Sequence, residues 1–126
     1  MKPSWLQHTA PDLPHFGDDE WTWVRGALCT IDRPYGIFDF FHHRIGSTHV
    51  CHHLFSRMPC YNAKEGTAAL KAYLEPKGLY NYDDTNLIVA AWKIARDCHY
   101  VEDTKGIQHY KSLRDAPKES AKAKKA

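Results

Sequence analysis

Long hydrophobic runs are missing from this chain of 126 residues. A helix that crosses a bilayer needs roughly 20 consecutive apolar residues, and no stretch of the sequence approaches that length. The mean hydropathy is clearly polar, and the amino terminus does not read as a secretory signal peptide. The sequence therefore predicts no membrane-spanning helix within these residues.

A disulfide framework and a strong excess of one charge are also missing. The four cysteines, Cys29, Cys51, Cys60 and Cys98, are irregularly spaced and form no CxxC pair, which is typical of reduced thiols that face the cytosol. The formal net charge of +2 is too small to indicate a nucleic-acid partner. Residues 114–126 carry +3 of this charge, so the basic character belongs to the tail.

Aromatic residues are numerous for so small a chain, with four tryptophans, seven tyrosines and five phenylalanines. A domain of this size buries a limited fraction of its surface. We therefore expect some of these rings to face a partner or a membrane surface.

The pattern of apolar residues and helix-breaking residues predicts a mainly α chain. Residues 9–19 are predicted as a loop, and a helix is expected from Asp18 or Asp19 to about Ile31. A second helical run is expected over residues 37–57, in one piece or in two around Gly46, with Pro59 ending it. No internal repeat is visible.

Two further helices are predicted after this run. Residues 63–74 should form a helix capped by Asn62, with Glu65 completing a capping box. The last helix should be capped by Asp84 or Thr85, and its stripe around Trp92 is interpreted as core packing. Residues 99–110 are expected to be irregular or a short strand.

Three imidazoles lie within five residues at His49, His52 and His53, in the pattern HxxHH. On a helix, His53 lies about 40° from His49, and His52 lies about 60° to its other side, so all three rings can project from one face. Imidazole suits zinc, copper, nickel and iron alike. The spacing indicates a metal site without naming the metal, and structural histidines are the competing interpretation.

The residues around this box carry a resemblance to a known family. The segment Thr48–Pro59 resembles the third histidine box of the membrane-bound fatty acid desaturases, specifically the Δ12 (omega-6) and omega-3 acyl-lipid enzymes. The likeness extends to residues 6–9, 21–28, 30–33 and 99–103, in the order and at about the spacing of that family. It covers residues 4–111.

The resemblance implies the carboxyl-terminal cytosolic, helical part of a membrane di-iron desaturase. Such enzymes carry two earlier histidine boxes and four membrane helices upstream of the matching region. We expect residues 1–113 to be this cytosolic part and residues 114–126 to be a disordered basic tail. The tail ends in the pattern KxKxx, over residues 122–126, which fits a dilysine signal for retrieval to the endoplasmic reticulum.

The resemblance also implies a set of metal ligands. His49, His52 and His53 match the third-box ligands, and His8 matches an additional ligand position of the family. His43 matches a histidine that recurs before the box, where a residue that orients a ligand, or a packing residue, is favoured over a ligand. No catalytic residue is expected beyond the metal ligands, and other histidines are interpreted as structural, namely His15, His42, His99 and His109.

The implied activity is insertion of a cis double bond into an acyl chain, with a di-iron centre and O₂. A Δ12 enzyme that converts oleoyl to linoleoyl chains is favoured, and an omega-3 enzyme is the alternative. The implied partners are a fatty acyl lipid, a cytochrome b5-type electron donor, the upstream transmembrane part of the enzyme and the membrane. The implied location is the cytosolic face of the endoplasmic reticulum membrane.

A hypothesis of another class stays open at this point. The chain can be a truncated product that binds a metal ion or a partner without catalysis. The piece alone is in either case expected to be inactive as a desaturase, because four histidines cannot hold two iron ions securely.

Overall fold

The computed structural model describes residues 4–114, in which short helices are joined by long connections. The expected tail from residue 115 onward, with its dilysine pattern, lies outside the described residues. The helices are α1 (Ser4–His8), α2 (Trp23–Leu28), α3 (Ile37–Phe41), α4 (His49–Leu54), α5 (Cys60–Leu74) and α6 (Leu87–Asp97), and the strands are β1 (His15–Phe16) and β2 (Ile107–Gln108). The prediction of a mainly α fold is confirmed.

Helix α2 is shorter than predicted at both ends. It begins after Thr22, whose side-chain oxygen accepts a hydrogen bond of 3.3 Å from the backbone N–H of Arg25. Asp18 and Asp19 were expected in its first turn, but they lie in a turn that bonds to residues 104 and 106. The Asp19 carboxylate there accepts a hydrogen bond of 2.8 Å from the backbone N–H of Gly106. The acids therefore serve a tertiary contact and not the helix start.

The histidine-bearing run forms two helices, which is one of the two alternatives expected from the sequence. Helix α3 ends at Phe41, and a turn over residues 42–48 separates it from α4. The break falls at His43 and Arg44, which have φ angles of 52° and 61°, and not at Gly46 itself. Left-handed backbone at non-glycine residues is uncommon, so the surrounding contacts must hold this turn. Helix α4 ends at Leu54, before the predicted stop at Pro59.

The predicted caps of the two later helices are wrong in detail. Helix α5 begins at Cys60 with Pro59 at its N-cap, so Asn62 lies inside the helix and no capping box forms. Helix α6 is capped by Asn86, whose side-chain oxygen accepts a hydrogen bond of 3.0 Å from the backbone N–H of Ile88. Both corrections move a boundary by a few residues, and both helices exist as predicted.

The buried face of α6 differs from the predicted stripe. Ala90 and Ile94 are its buried residues, whereas Trp92 is 69% exposed and does not belong to the core. The helix is therefore rotated from the orientation that its largest side chain suggests. Ile94 packs in a small cluster with Leu6 and Tyr35, which joins α6 to α1.

The centre of the described chain is a polar connection over residues 30–33. Thr30, Asp32 and Arg33 are almost completely buried, with at most 1% exposure. The backbone N–H of Ile31 donates to the carbonyl of Gln7 at 2.9 Å, and the Arg33 guanidinium donates to the Asp83 carboxylate at 2.7 Å. Because buried polar groups must find partners, this connection fixes the positions of the elements around it. We call residues 30–33 the central segment.

The two strands close the fold near its ends. Strands β1 and β2 pair antiparallel, with His15 opposite Gln108 and Phe16 opposite Ile107. This confirms the expectation of a short strand in residues 99–110, and it places a two-residue strand in the predicted loop of residues 9–19. Across residues 4–114, no helix has both the length and the apolar character needed to span a membrane.

Ile94→Ala should destabilise the chain by about 2–4 kcal/mol, because it opens a cavity in the cluster that joins α1 to α6. Ile88→Ala is the matched control on the same helix, since Ile88 is 78% exposed, and it should change the free energy of unfolding by at most about 0.5 kcal/mol. Urea denaturation followed by circular dichroism measures both. Equal effects of the two variants would contradict this orientation of α6.

Candidate metal centre

Three imidazole rings from two helices meet at one point. His8 is the last residue of α1, and His49 and His53 lie on consecutive turns of α4. The Nε2 atom of His8 lies 3.1 Å from that of His49 and 3.1 Å from that of His53, and the last two are 3.2 Å apart. We call this arrangement the histidine triangle. Within residues 4–114, no other three side chains of histidine, cysteine, aspartate or glutamate form such a group.

The size of the histidine triangle fits a single transition-metal ion. An ion that holds imidazole nitrogens at about 2.0–2.1 Å places them about 2.9 Å apart at right angles and about 3.3 Å apart at tetrahedral angles. The three measured separations of 3.1–3.2 Å fall between these values. The donor set is three nitrogen atoms, which suits zinc, copper, nickel or iron and not calcium or magnesium.

The protonation of the rings also fits metal binding. Burial and the crowding of the other three rings lower the pKa of His49 to about 3. Burial, with His8 and His52 nearby, lowers the pKa of His53 as well. Both rings are therefore neutral at pH 7, and a neutral imidazole has a free lone pair for a metal. Nδ1 of His8 lies 3.4 Å from the carbonyl of Cys29, a contact that leaves Nε2 of His8 to face the triangle.

His52 does not join the histidine triangle. Its ring centre lies 5.8 Å from that of His49 and 5.8 Å from that of His53. His8 approaches α4 on the side of His53, and His52 lies about 100° away from His53 around the helix. The structure thus brings together three of the four predicted ligands and leaves the fourth beside them.

His52 and His43 line a separate cavity of about 280 Å³ next to the triangle. His43 is exposed and lies at the left-handed turn before α4. Cys51 also lines this cavity, and its thiol lies 3.6 Å from the sulfur of Met58. Cys51 does not belong to the metal-binding group.

The remaining histidines that were interpreted as structural lie apart from the triangle. His15 stacks edge-on against Tyr110 with ring centres 4.5 Å apart. His99 accepts a hydrogen bond of 3.2 Å from the backbone N–H of Leu113, and His42 contacts the carbonyl of Phe38 at 2.9 Å. None of these three histidines belongs to a metal-binding group within the described residues.

Asp32 and Tyr80, which orient α4, were not predicted from the sequence. The carboxylate of Asp32 accepts a hydrogen bond of 2.8 Å from the backbone N–H of Val50, next to His49. The hydroxyl of Tyr80 donates to the same carboxylate. Asp32 is completely buried, and burial raises its pKa, against the effect of these hydrogen bonds. Asp32 lies in residues 30–33, a segment that resembles the desaturase family, but the resemblance did not indicate what Asp32 does.

Comparisons with known proteins find fatty acid desaturases. The chain is 48% identical over 112 residues to the omega-6 fatty acid desaturase, endoplasmic reticulum isozyme 2, of Glycine max, which covers 85% of this chain and 29% of that protein. It is 49% identical over 112 residues to the delta(12)-fatty-acid desaturase of Arabidopsis thaliana, with the same coverage. The delta(12) fatty acid desaturase of Mortierella isabellina is 47% identical over 109 residues, or 86% of this chain and 27% of its own length.

These similarities confirm the resemblance drawn from the sequence. The chain is homologous to one part of the Δ12 (omega-6) fatty acid desaturases. It spans about 29% of the length of the first curated relatives that it matches. No family model matches the chain, and no solved structure matches it.

His49→Ala and His53→Ala should each weaken the binding of Co²⁺ to this chain by more than roughly tenfold, because each removes one of three ligands and loss of even an outer partner costs 10–100-fold. His52→Ala should weaken it much less, since its ring lies outside the triangle. Titration followed by the visible absorption of Co²⁺ measures all three. His109→Ala is the control, and an equal loss in that variant would show that the triangle is not the site.

Proposed function

We propose that this chain supplies carboxyl-terminal histidine ligands to the di-iron centre of an acyl-lipid desaturase. The observation that carries the proposal is the histidine triangle, in which His8 reaches two rings of the HxxHH box at metal-binding separations. The similarity to named Δ12 and omega-6 desaturases supports iron as the metal. The favoured reaction is the conversion of an oleoyl to a linoleoyl chain, with an omega-3 reaction as the alternative.

Iron in such a centre would activate O₂ for the removal of two hydrogens from adjacent, unactivated methylene groups. The side chains described here do not abstract these hydrogens. His8, His49 and His53 would hold one iron ion through their Nε2 atoms. The carbonyl of Cys29 holds the Nδ1 proton of His8, and burial keeps His49 neutral. These residues thus bind and orient the metal.

We also propose that His52 binds a second iron ion, because of its position beside the histidine triangle. Its ring is exposed and adjacent to the triangle, and within the described residues His52 belongs to no group of three potential metal ligands. A second ion there would need ligands from another part of the protein. His43, which lines the same cavity as His52, is suited to orient that ring.

Exposed apolar side chains support an assembly with the upstream transmembrane part and the membrane. Trp21 and Trp23 are 57% and 58% exposed, and Phe40 is 74% exposed. Apolar surface of this kind marks contacts with proteins or membranes. We propose the cytosolic face of the endoplasmic reticulum membrane as the location, with a fatty acyl lipid and O₂ as substrates and a cytochrome b5-type protein as electron donor.

Metal binding without catalysis is the second candidate function. It is favoured by one observation, namely that all three members of the histidine triangle come from this chain. Three imidazoles are enough to hold one ion. This candidate predicts metal uptake and predicts no gain of desaturation when the chain is placed in a complete enzyme.

A chimeric enzyme tests the proposal. The matching region of the Arabidopsis thaliana relative is replaced by residues of this chain, and the chimera is expressed in a host that makes oleate but no polyunsaturated lipids. We expect an 18-carbon diene in the lipids, because the triangle completes the metal centre. Fatty-acid analysis by gas chromatography measures the product.

Two variants of the chimera make the result specific. His49→Ala should abolish the diene, whereas His109→Ala should retain it. A chimera that accumulates in the membrane and forms no diene would contradict the desaturase proposal and leave the metal-binding candidate as the better one.

A further inference from the structure

Helix α4 begins without a cap from its own sequence. The first N–H groups of a helix have no partner within it and need acceptors from elsewhere. The N-cap residue Thr48 makes no side-chain capping bond, because its hydroxyl donates to the carbonyl of Arg44 at 2.8 Å. The amino end of this metal-binding helix therefore depends on a distant part of the chain.

The carboxylate of Asp32 takes the place of the missing cap. One of its oxygens accepts a hydrogen bond of 2.8 Å from the backbone N–H of Val50, and the backbone N–H of His49 lies close enough to lower the pKa of the carboxyl. The other oxygen accepts the hydroxyl proton of Tyr80. A negative charge at a helix amino end is stabilising, and here it contacts the backbone of a triangle residue itself.

The central segment that carries Asp32 also holds the other helix of the triangle. The hydroxyl of Thr30 donates to the carbonyl of Gln7 at 3.1 Å, and the backbone N–H of Ile31 donates to that same carbonyl at 2.9 Å. Gln7 directly precedes His8. Four consecutive residues thus bond both to the chain beside His8 and to the chain at His49, which lie 41 residues apart.

We propose that Asp32 is a positioning residue of the metal centre, and that it sets the distance between His8 and the two rings of α4. The inference rests on the metal site of the proposed function and adds to it the residue that aligns the site. Metal–ligand distances tolerate only about 0.2 Å of error. A small shift of the amino end of α4 would carry Nε2 of His49 away from the position that an ion requires.

Co²⁺ binding by the full chain tests the role of Asp32. Asp32→Asn keeps the shape of the side chain and removes its charge, and we expect affinity to fall by roughly tenfold or more, as for partners that orient metal ligands. The visible absorption bands of bound Co²⁺ should shift as well, because they report ligand geometry. Tyr80→Phe removes one hydroxyl and should cause the same change to a smaller degree.

Asp19→Asn is the matched control. Asp19 also accepts a long-range backbone N–H, at 2.8 Å from Gly106, but it has no contact with α1 or α4 in the described hydrogen bonds. All variants are compared well below their unfolding temperatures. The control should keep the affinity and the absorption bands of the unsubstituted chain even where its stability falls.

Each outcome decides between the proposals. Unchanged affinity and bands in Asp32→Asn would overturn the positioning role, as would losses that disappear once the folded fraction is taken into account. If Asp32→Asn does not fold, Tyr80→Phe decides, and bands identical to those of the unsubstituted chain overturn the role. If the unsubstituted chain takes up no Co²⁺, the metal site and this inference both fail, whereas binding that is lost in His49→Ala but kept in Asp32→Asn removes the inference alone.

Discussion

The candidate site depends on one long-range constraint, the hydrogen bonding of the central segment to both helices of the histidine triangle. The apolar core is too small to impose this arrangement, because each of its two clusters holds only three buried residues. Burying a polar group costs free energy unless the group is hydrogen-bonded, so Asp32 and Thr30 must keep their partners. Hydrogen bonds are directional, so these bonds also fix orientation. A few hydrogen bonds thereby hold three imidazoles within 3.2 Å of one another.

Much of the local structure could be predicted from the sequence, since it depends on residues near one another. Helix α5 lies between two helix-breaking residues, Pro59 and Pro76, and a break in the histidine-bearing run was one of the two expected alternatives. The caps could not be assigned in the same way. Asp18 and Asp19 are residue types that often begin a helix, but Thr22 provides the N-cap of α2. Asp19 instead accepts a hydrogen bond from the distant Gly106. Tertiary contacts thus override local preference.

The membership of the triangle shows where sequence reasoning ends. Helical geometry places His52 and His53 on opposite sides of His49, but it cannot tell from which side a residue of another helix will arrive. The hydrogen bonds of the central segment to Gln7 determine the direction of approach, and they place His8 beside His53. The family resemblance provided four candidate ligands, and the fold divides them into three that meet and one that faces a neighbouring cavity.

The division of the four histidines fits a chain that covers about 29% of its relatives. Three nitrogen atoms from two helices would bind an ion from one side and would leave its other positions open, as a metal that reacts with O₂ requires. His52 lies beside this group with an exposed ring, and large aromatic side chains are exposed on α2 and α3. On the proposed function, these features have a common cause. The surfaces that the described residues leave uncovered are those at which the rest of a desaturase would add further ligands and the acyl-binding tunnel.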